Sequence, residues 1–216
     1  MNRSKAEPDR RLSVAVVGAT GNVGRPLVAE LVARGHRVTA VTIHPELVEP
    51  HASVRVEETD ANDSARLVPV IAGHDVVVTA IQYAKTDHAG LIESVRKSAV
   101  PLWFVVGGSG TLVVPGTATR LMDTDGFPPA FAKPAAAAAH FWELLERVDD
   151  LDWIYLAPPP GIGPGERTGE FRRGGRELLA RDDGQAPMIS FDDYAIAIAD
   201  ELESPSCIRS RFTVAY

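Results

Sequence analysis

The sequence predicts a single α/β domain, in which a Rossmann-like, doubly wound and mainly parallel sheet of about seven strands carries helices on both faces. Short apolar runs rich in valine alternate along the chain with longer segments suited to helices. Three glycines at three-residue spacing follow the first of these runs. The length of 216 residues suits one large domain, because domains typically hold roughly 100 to 200 residues.

The first half of the chain alternates regularly between strands and helices. The run at 12–17 has the composition of a strand buried on both faces, and a helix is predicted over 22–33. Strands at 37–43 and 53–56 then precede a helix at 63–72. This order favours parallel strands joined by right-handed crossovers.

The second half continues the alternation. Strands are predicted at 75–80, 102–106, 152–156 and 211–216. Helices are predicted over 87–98, 134–148 and 191–203. The last helix has acidic residues in its first turn, which suit the positive end of the helix dipole.

Two long connections interrupt the alternation, at 107–133 and 157–187. Loops of this length in a compact domain are usually functional or mobile, and both follow strand carboxyl ends, where open α/β sheets bind ligands. They are therefore the predicted substrate loops. The second loop contains five arginines that either face an anionic substrate or lie on a solvated hairpin. These are Arg167, Arg172, Arg173, Arg176 and Arg181.

Composition excludes several functional classes. Hydrophobic residues make up 45% and charged residues 24%, as in a globular protein with a sizeable core. The net charge of -7 disfavours nucleic-acid binding, and no apolar run reaches the ~18 residues that span a membrane.

The single cysteine, Cys207, indicates a reducing cytoplasm. We expect residues 1–11 to form a disordered tail, since they are charged and lack an apolar signal segment. The expected partner is a small molecule, and the expected state a monomer or homodimer.

The glycines lie at the junction between the first strand and its helix. Gly18, Gly21 and Gly24 lack the side chains that would keep a pyrophosphate from the backbone, and the helix start presents unpaired N–H groups. The spacing is G-x-x-G-x-x-G rather than the general G-x-G-x-x-G. In its strand-turn-helix context it predicts a nucleotide site.

Several motifs together resemble one family. These are GATGNVGRPLV at 18–28, Asp60 after the third strand, GHDVVVTA at 73–80, VVGGSG at 105–110, and IS-x-DDYA at 189–195. From about 12 to 216 the chain resembles atypical short-chain dehydrogenase/reductases of the NmrA-like NAD(P)H-binding group, which includes the biliverdin reductase B-like branch.

The resemblance implies a set of cofactor contacts. It places Thr20, Asn22 and Val23 at the phosphates, Asp60 and Ala61 near the adenine, and Thr79, Ala80 and Ile81 under the nicotinamide ribose. The other predicted cofactor residues are the loop glycines, Thr42, Ile43, His44, Gly107, Gly108 and Lys133.

The choice between NAD and NADP depends on the end of the second strand. NAD sites usually place a carboxylate there, and NADP sites use a nearby arginine. This chain instead has Thr42, Ile43 and His44. Without a carboxylate to repel a 2′-phosphate, and with donors at Thr42 and His44, the sequence favours NADP, with NAD as the alternative.

The resemblance also implies a catalytic serine at Ser109 and a lysine at Lys133, each of which is alternatively a turn or surface residue. The family's Tyr-x-x-x-Lys tyrosine is missing, because Pro129 stands four residues before Lys133. Tyr83 and His140 are the remaining candidates for a proton donor, although Tyr83 can equally wall the pocket and His140 can equally be a helix-face residue. The histidines show no metal-ligand spacing, so no metal is expected.

We therefore expect a reductase that transfers hydride from NAD(P)H to an acceptor needing little help with protons, such as a flavin or quinone. One alternative is a dinucleotide-binding redox sensor that does not turn over, as in NmrA. Another is a biosynthetic ketoreductase, isomerase or epimerase with a relocated acid.

Overall fold

A computed structural model of the protein describes residues 11–181 and 183–216. Apart from Arg11, the predicted N-terminal tail lies outside the described residues. The strands are β1 Ser13–Val17, β2 Arg37–Thr42, β3 Val54–Glu58, β4 Val76–Thr79, β5 Leu102–Val106, β6 Trp153–Ala157, β7 Gly161–Gly163, β8 Arg172–Gly174, β9 Met188–Ser190 and β10 Ser210–Ala215. The helices are α1 Gly24–Ala33, α2 Ser64–Ile71, α3 His88–Ser98, α4 Ala132–Leu145 and α5 Phe191–Glu203.

The main sheet has the order β3-β2-β1-β4-β5-β6-β10-β8. Its first seven strands are parallel, and β8 pairs antiparallel with β10 at one edge. The predicted fold class is confirmed, because the seven parallel strands correspond to the seven predicted ones. The chain order reverses between β1 and β4, and such a switch point is where doubly wound sheets bind ligands.

Helices cover both faces of the sheet, and the alternation of side chains along each strand explains why. Val14 of β1 belongs to an apolar cluster that includes Leu27 of α1 and Tyr194 of α5. The next residue, Ala15, belongs to a second cluster with Phe141 of α4 on the opposite face. Burial on both faces accounts for the nearly continuous apolar strands.

The second long connection has more regular structure than the sequence predicts. It contains β7 and β8, and β7 pairs with β9 in a separate two-stranded parallel sheet. The first connection contains three single turns of 3-10 helix: Ser109–Thr111, Leu121–Asp123 and Pro129–Phe131. The two connections follow the carboxyl ends of β5 and β6, respectively. Within the described part of the chain, no helix is long and apolar enough to cross a membrane.

Candidate functional site

The glycine loop lies between β1 and α1, and each of its glycines has a separate role. Gly18 has a φ of +88°, and a Cβ there would lie 2.2 Å from the Ala80 carbonyl oxygen. A Cβ on Gly24 would lie 2.1 Å from the Gly18 carbonyl oxygen. These two glycines are therefore required by the packing of the loop itself.

Gly21 is the glycine that leaves room for a ligand. It is exposed, and the nearest atom to a Cβ placed there is the Gly18 carbonyl oxygen at 3.3 Å. Val23, at the start of α1, supplies no side-chain cap, so the first turn of the helix has no protein anion bound to it. An open glycine beside an uncapped helix start suits a phosphate.

The end of β2 lies beside this loop. Thr42 is buried, its hydroxyl lies 2.7 Å from that of Thr20, and it accepts the His44 backbone N–H at 3.0 Å. The Thr42 hydroxyl therefore joins β2 to the glycine loop, a role that the sequence did not indicate. The side chains of Ile43 and His44 are more than half exposed. Both side chains are thus accessible to a ligand, whereas that of Thr42 is not.

The segments after β3 and β4 complete the cofactor side. Asp60 accepts the Asn62 backbone N–H at 2.8 Å, and Asn62 in turn bonds to the Lys85 carbonyl and the Asp87 N–H. Asp60 and Ala61 are thus held next to the chain that follows β4. The Thr79 side chain, by contrast, is fully buried and accepts the Trp103 indole N–H at 3.0 Å. A Thr79 side-chain contact with the cofactor is therefore not available, whereas Ala80 and Ile81 lie next to Gly18.

A cavity of about 880 Å³ adjoins the glycine loop through Ile81. Its wall is built from residues that follow β4, β5 and β6, together with parts of both long connections. Most of these residues are apolar, and they include Phe127, Phe131 and several prolines. Gly107 and Gly108 belong to the wall, as does Ser109. This position is the ligand crevice expected of an open α/β sheet.

Tyr83 lines the cavity with its ring, but its hydroxyl is occupied. The residue is 6% exposed, and its hydroxyl donates to the Val106 carbonyl at 2.9 Å. The ring stacks on Phe141, with centroids 4.4 Å apart. Burial raises the pKa of Tyr83 well above its ordinary value. The side chain is a wall of the cavity whose proton is directed at the protein backbone.

Ser109 lies in a turn that two buried hydroxyls hold. The Tyr155 hydroxyl accepts the Gly108 N–H at 3.0 Å, and the Thr111 hydroxyl donates to the Gly108 carbonyl at 2.8 Å. The Tyr155 ring packs so closely on Gly107 that a Cβ there would lie 2.2 Å from it. Sequence reasoning missed Tyr155, because a tyrosine in a buried strand gives no indication of which loop it supports.

Two other predicted residues lie apart from the cavity wall. Lys133 is exposed in the first turn of α4, and His140 is exposed further along the same helix. Neither belongs to the lining, although Pro134, Ala135 and Ala138 of the same helix do. The His140 ring lies 5.3 Å from that of His88. The catalytic role of Lys133 stays a prediction.

The arginines of the second connection separate in the structure. Arg167 pairs with Glu30 at 2.9 Å, and Arg172 donates to the carbonyls of Ala180 and Tyr216. Arg173 pairs with buried Glu201 at 2.7 Å and lies over the Phe212 ring. Of the five, Arg181 lines the cavity. No cluster of potential metal ligands occurs among residues 11–181 and 183–216.

Comparison with known proteins agrees with this geometry. A family model described as NAD(P)H-binding matches residues 18–205. The chain is 33% identical to YwnB, an uncharacterized protein of Bacillus subtilis (strain 168), over 94% of this chain and 98% of that one.

Two solved structures are similar in both sequence and fold. A candidate epimerase from Bacteroides thetaiotaomicron superposes with a TM-score of 0.91 at 32% identity, covering 96% of this chain and 98% of that chain. A candidate NADH-flavin reductase from Streptococcus pneumoniae TIGR4 superposes with a TM-score of 0.82 at 30% identity, covering 94% and 99%. The predicted NAD(P)H-binding family and the enzyme class are thus confirmed: the chain belongs to the NAD(P)H-binding family and is an oxidoreductase.

Proposed function

We propose that the protein transfers a hydride from a nicotinamide dinucleotide to a planar organic acceptor such as a flavin or quinone. The observation that carries this proposal is the cavity beside Ile81, which is large, mostly apolar and lacks a free acid. Its volume of about 880 Å³ falls within the roughly 300 to 1,000 Å³ usual for small-molecule sites. Apolar and aromatic walls suit a flat ring system.

The cavity's chemistry favours acceptors that need no proton from the protein. Among the described residues, Tyr83 and Arg181 are the ionisable side chains in its wall. Tyr83 donates to Val106, and an arginine does not release its proton in proteins. Hydride transfer to a quinone gives a hydroquinone anion, which water can protonate. Reduction of a simple ketone instead develops an alkoxide that needs a positioned acid.

The same observation weighs against the other enzymatic alternatives. A ketoreductase, isomerase or epimerase of this fold requires an acid or base within hydrogen-bond reach of the reacting atom. Ser109 is the cavity-lining hydroxyl that lies after β5. A serine hydroxyl can donate a hydrogen bond to a carbonyl but is too weak an acid to act as a general acid. We assign it that orienting role.

For the cofactor itself, we propose a preference for NADP. After β2, Ile43 and His44 are exposed and the carboxylate typical of NAD sites is absent from the sequence at these positions. Because the Thr42 hydroxyl is engaged with Thr20 and with the His44 backbone N–H, we assign the His44 side chain to the 2′-phosphate. Its Nδ1 lies 3.5 Å from Glu46 Oε1, and since both side chains are exposed, a phosphate would replace that carboxylate at small cost.

The proposal is tested by following NAD(P)H oxidation at 340 nm with a panel of acceptors. The panel compares FMN, riboflavin and menadione with simple ketones and aldehydes. We expect turnover with the flavins or the quinone and little with the ketones. Tight dinucleotide binding without oxidation by any acceptor would instead indicate a sensor that does not turn over.

A further inference from the structure

Arg181 is the one charged side chain in the cavity wall among the described residues. It lies on the second long connection, close to the cavity-lining residues Gly184, Gln185 and Pro187. Its side chain is 30% exposed, so the guanidinium is in reach of both the cavity and water. Arg181 differs from the other polar side chains of the wall because they are uncharged; these are Gln82, Tyr83, Ser109, Thr124 and Gln185. An anionic group of a ligand in this cavity would therefore meet a cation at Arg181.

Asp183 pairs with Arg181 but occupies only part of the guanidinium. Asp183 accepts from Arg181 Nε at 3.0 Å and from Nη2 at 2.6 Å. A guanidinium carries donors on all three nitrogens, and Nη1 makes no hydrogen bond to another residue in the described part of the chain. Arg181 therefore retains donors for a second anion.

The Arg181–Asp183 pair is also easily exchanged. Asp183 does not line the cavity, and its side chain is 48% exposed. Exposed ion pairs contribute little to stability, so a ligand anion can share or replace the aspartate at small cost. The guanidinium holds the pKa of Asp183 at about 2. The pair is therefore fully charged at neutral pH, and its attraction for a second anion is moderated but not cancelled.

From these contacts we infer that the acceptor is a flat ring system bearing an anionic substituent, a phosphate or carboxylate, which Arg181 binds. This inference rests on the proposed function, since it assigns the cavity to the acceptor. The apolar wall holds the ring, and Arg181 holds the charge at the edge. Of the five arginines in this connection, the other four hold protein groups or lie outside the cavity wall.

FMN and riboflavin form a matched pair of probes, because they share the ring and differ by one phosphate. Binding is measured from quenching of flavin fluorescence by the full chain, which requires no turnover. We expect FMN to bind more tightly than riboflavin. Arg181→Leu should weaken FMN binding about tenfold, the size expected for loss of a hydrogen bond to a charged group, and leave riboflavin within about twofold.

Two further variants separate direct contact from net charge. Arg176→Leu removes a positive charge from the same connection without touching the cavity wall, so FMN binding should change by less than about twofold. Asp183→Asn frees the guanidinium and should tighten FMN binding severalfold.

The inference is overturned if the wild type binds FMN and riboflavin equally, if FMN does not bind, or if Arg181→Leu weakens both flavins alike. NADPH oxidation is measured in parallel. It distinguishes failure of the Arg181 anion site from failure of the proposed hydride transfer. Equal turnover of the two flavins in wild type and Arg181→Leu contradicts the role of Arg181 and supports hydride transfer. Selective FMN binding without any oxidation supports the anion site and contradicts the proposed reaction.

Discussion

At the scale of single residues, Gly21 separates cofactor binding from folding. A side chain at Gly18 or Gly24 meets backbone atoms within 2.2 Å, so substitution there disturbs the loop. At Gly21 the nearest atom is 3.3 Å away. We expect Gly21→Val to fold but to weaken dinucleotide binding more than about tenfold, because the side chain enters the phosphate space.

Titration calorimetry with NADPH, alongside a thermal melt, checks this expectation. Gly175→Ala is a suitable control, because a Cβ at Gly175 meets no atom within 4 Å and its φ is not positive. Wild-type affinity in a folded Gly21→Val protein would show that the glycine loop is not the phosphate site.

The exposed residue after β2 tests the cofactor preference. Ile43 is 57% exposed, so an aspartate fits there without loss of packing. Ile43→Asp should weaken NADPH binding about tenfold while changing NADH binding little, since a carboxylate repels a 2′-phosphate and accepts from a ribose hydroxyl. Ile43→Asn is the control, because asparagine has the size of aspartate but carries no charge. Tenfold tighter binding of NADH than NADPH by the wild type would contradict the preference.

At the scale of elements, Asp193 attaches the second connection to α5. Its carboxylate is fully buried and accepts from the Thr168 and Gly169 backbone N–H groups, the Thr168 hydroxyl and the Tyr216 hydroxyl. Burial raises the pKa of Asp193, but these hydrogen bonds outweigh it and leave the pKa lowered. The same network includes β9, because the Ser190 N–H donates to the Tyr216 hydroxyl at 3.1 Å.

We therefore expect Asp193→Asn to lower the free energy of unfolding by roughly 2 to 3 kcal/mol at pH 7, since an amide cannot accept all these bonds. A carboxyl with a lowered folded pKa stabilises the fold above its unfolded pKa, and the stabilisation is lost as pH falls through the folded value. The difference from wild type should thus shrink below about pH 4.

Urea unfolding at several pH values measures this difference. Asp192→Asn is the matched control, because the neighbouring aspartate is exposed; it should cost less than about 1 kcal/mol. If Asp193→Asn lowered the free energy of unfolding at pH 7 no more than Asp192→Asn does, the anchoring role of Asp193 would be contradicted.

Elements and site residues differ in how far the sequence predicts them. The strands β1, β4, β5 and β6 were predictable because they are buried apolar runs. The edge strand β3 is not such a run, since none of its residues is buried. The strands β7, β8 and β9 were not predictable, since three-residue strands carry no periodic pattern and depend on pairing distant in sequence. The glycine loop was predictable from spacing. Two side-chain contacts were not predictable, because they depend on residues distant in sequence. Thr79 points inward to the Trp103 indole, and the Thr42 hydroxyl contacts that of Thr20.

At the scale of the whole molecule, the sheet places the glycine loop beside a mostly apolar cavity. A Cβ placed on Gly18 of the loop would lie 3.3 Å from Ile81 Cγ2, and Ile81 lines the cavity. A dinucleotide held at the glycine loop is thereby directed toward the cavity after β4 and β5. We propose that hydride passes from the dinucleotide to an acceptor in this cavity without a proton from Tyr83.

The most direct test is stopped-flow oxidation of NADPH by menadione, in the wild type and in Tyr83→Phe, between pH 6 and 9. The substitution should cost about 1 kcal/mol of stability, because the Val106 carbonyl loses its donor. We expect the hydride-transfer rates of the two proteins to agree within about twofold and not to vary with pH. A rate lowered 10²- to 10⁴-fold in Tyr83→Phe, as is typical of loss of a general acid, with NADPH binding unchanged, would contradict the proposal.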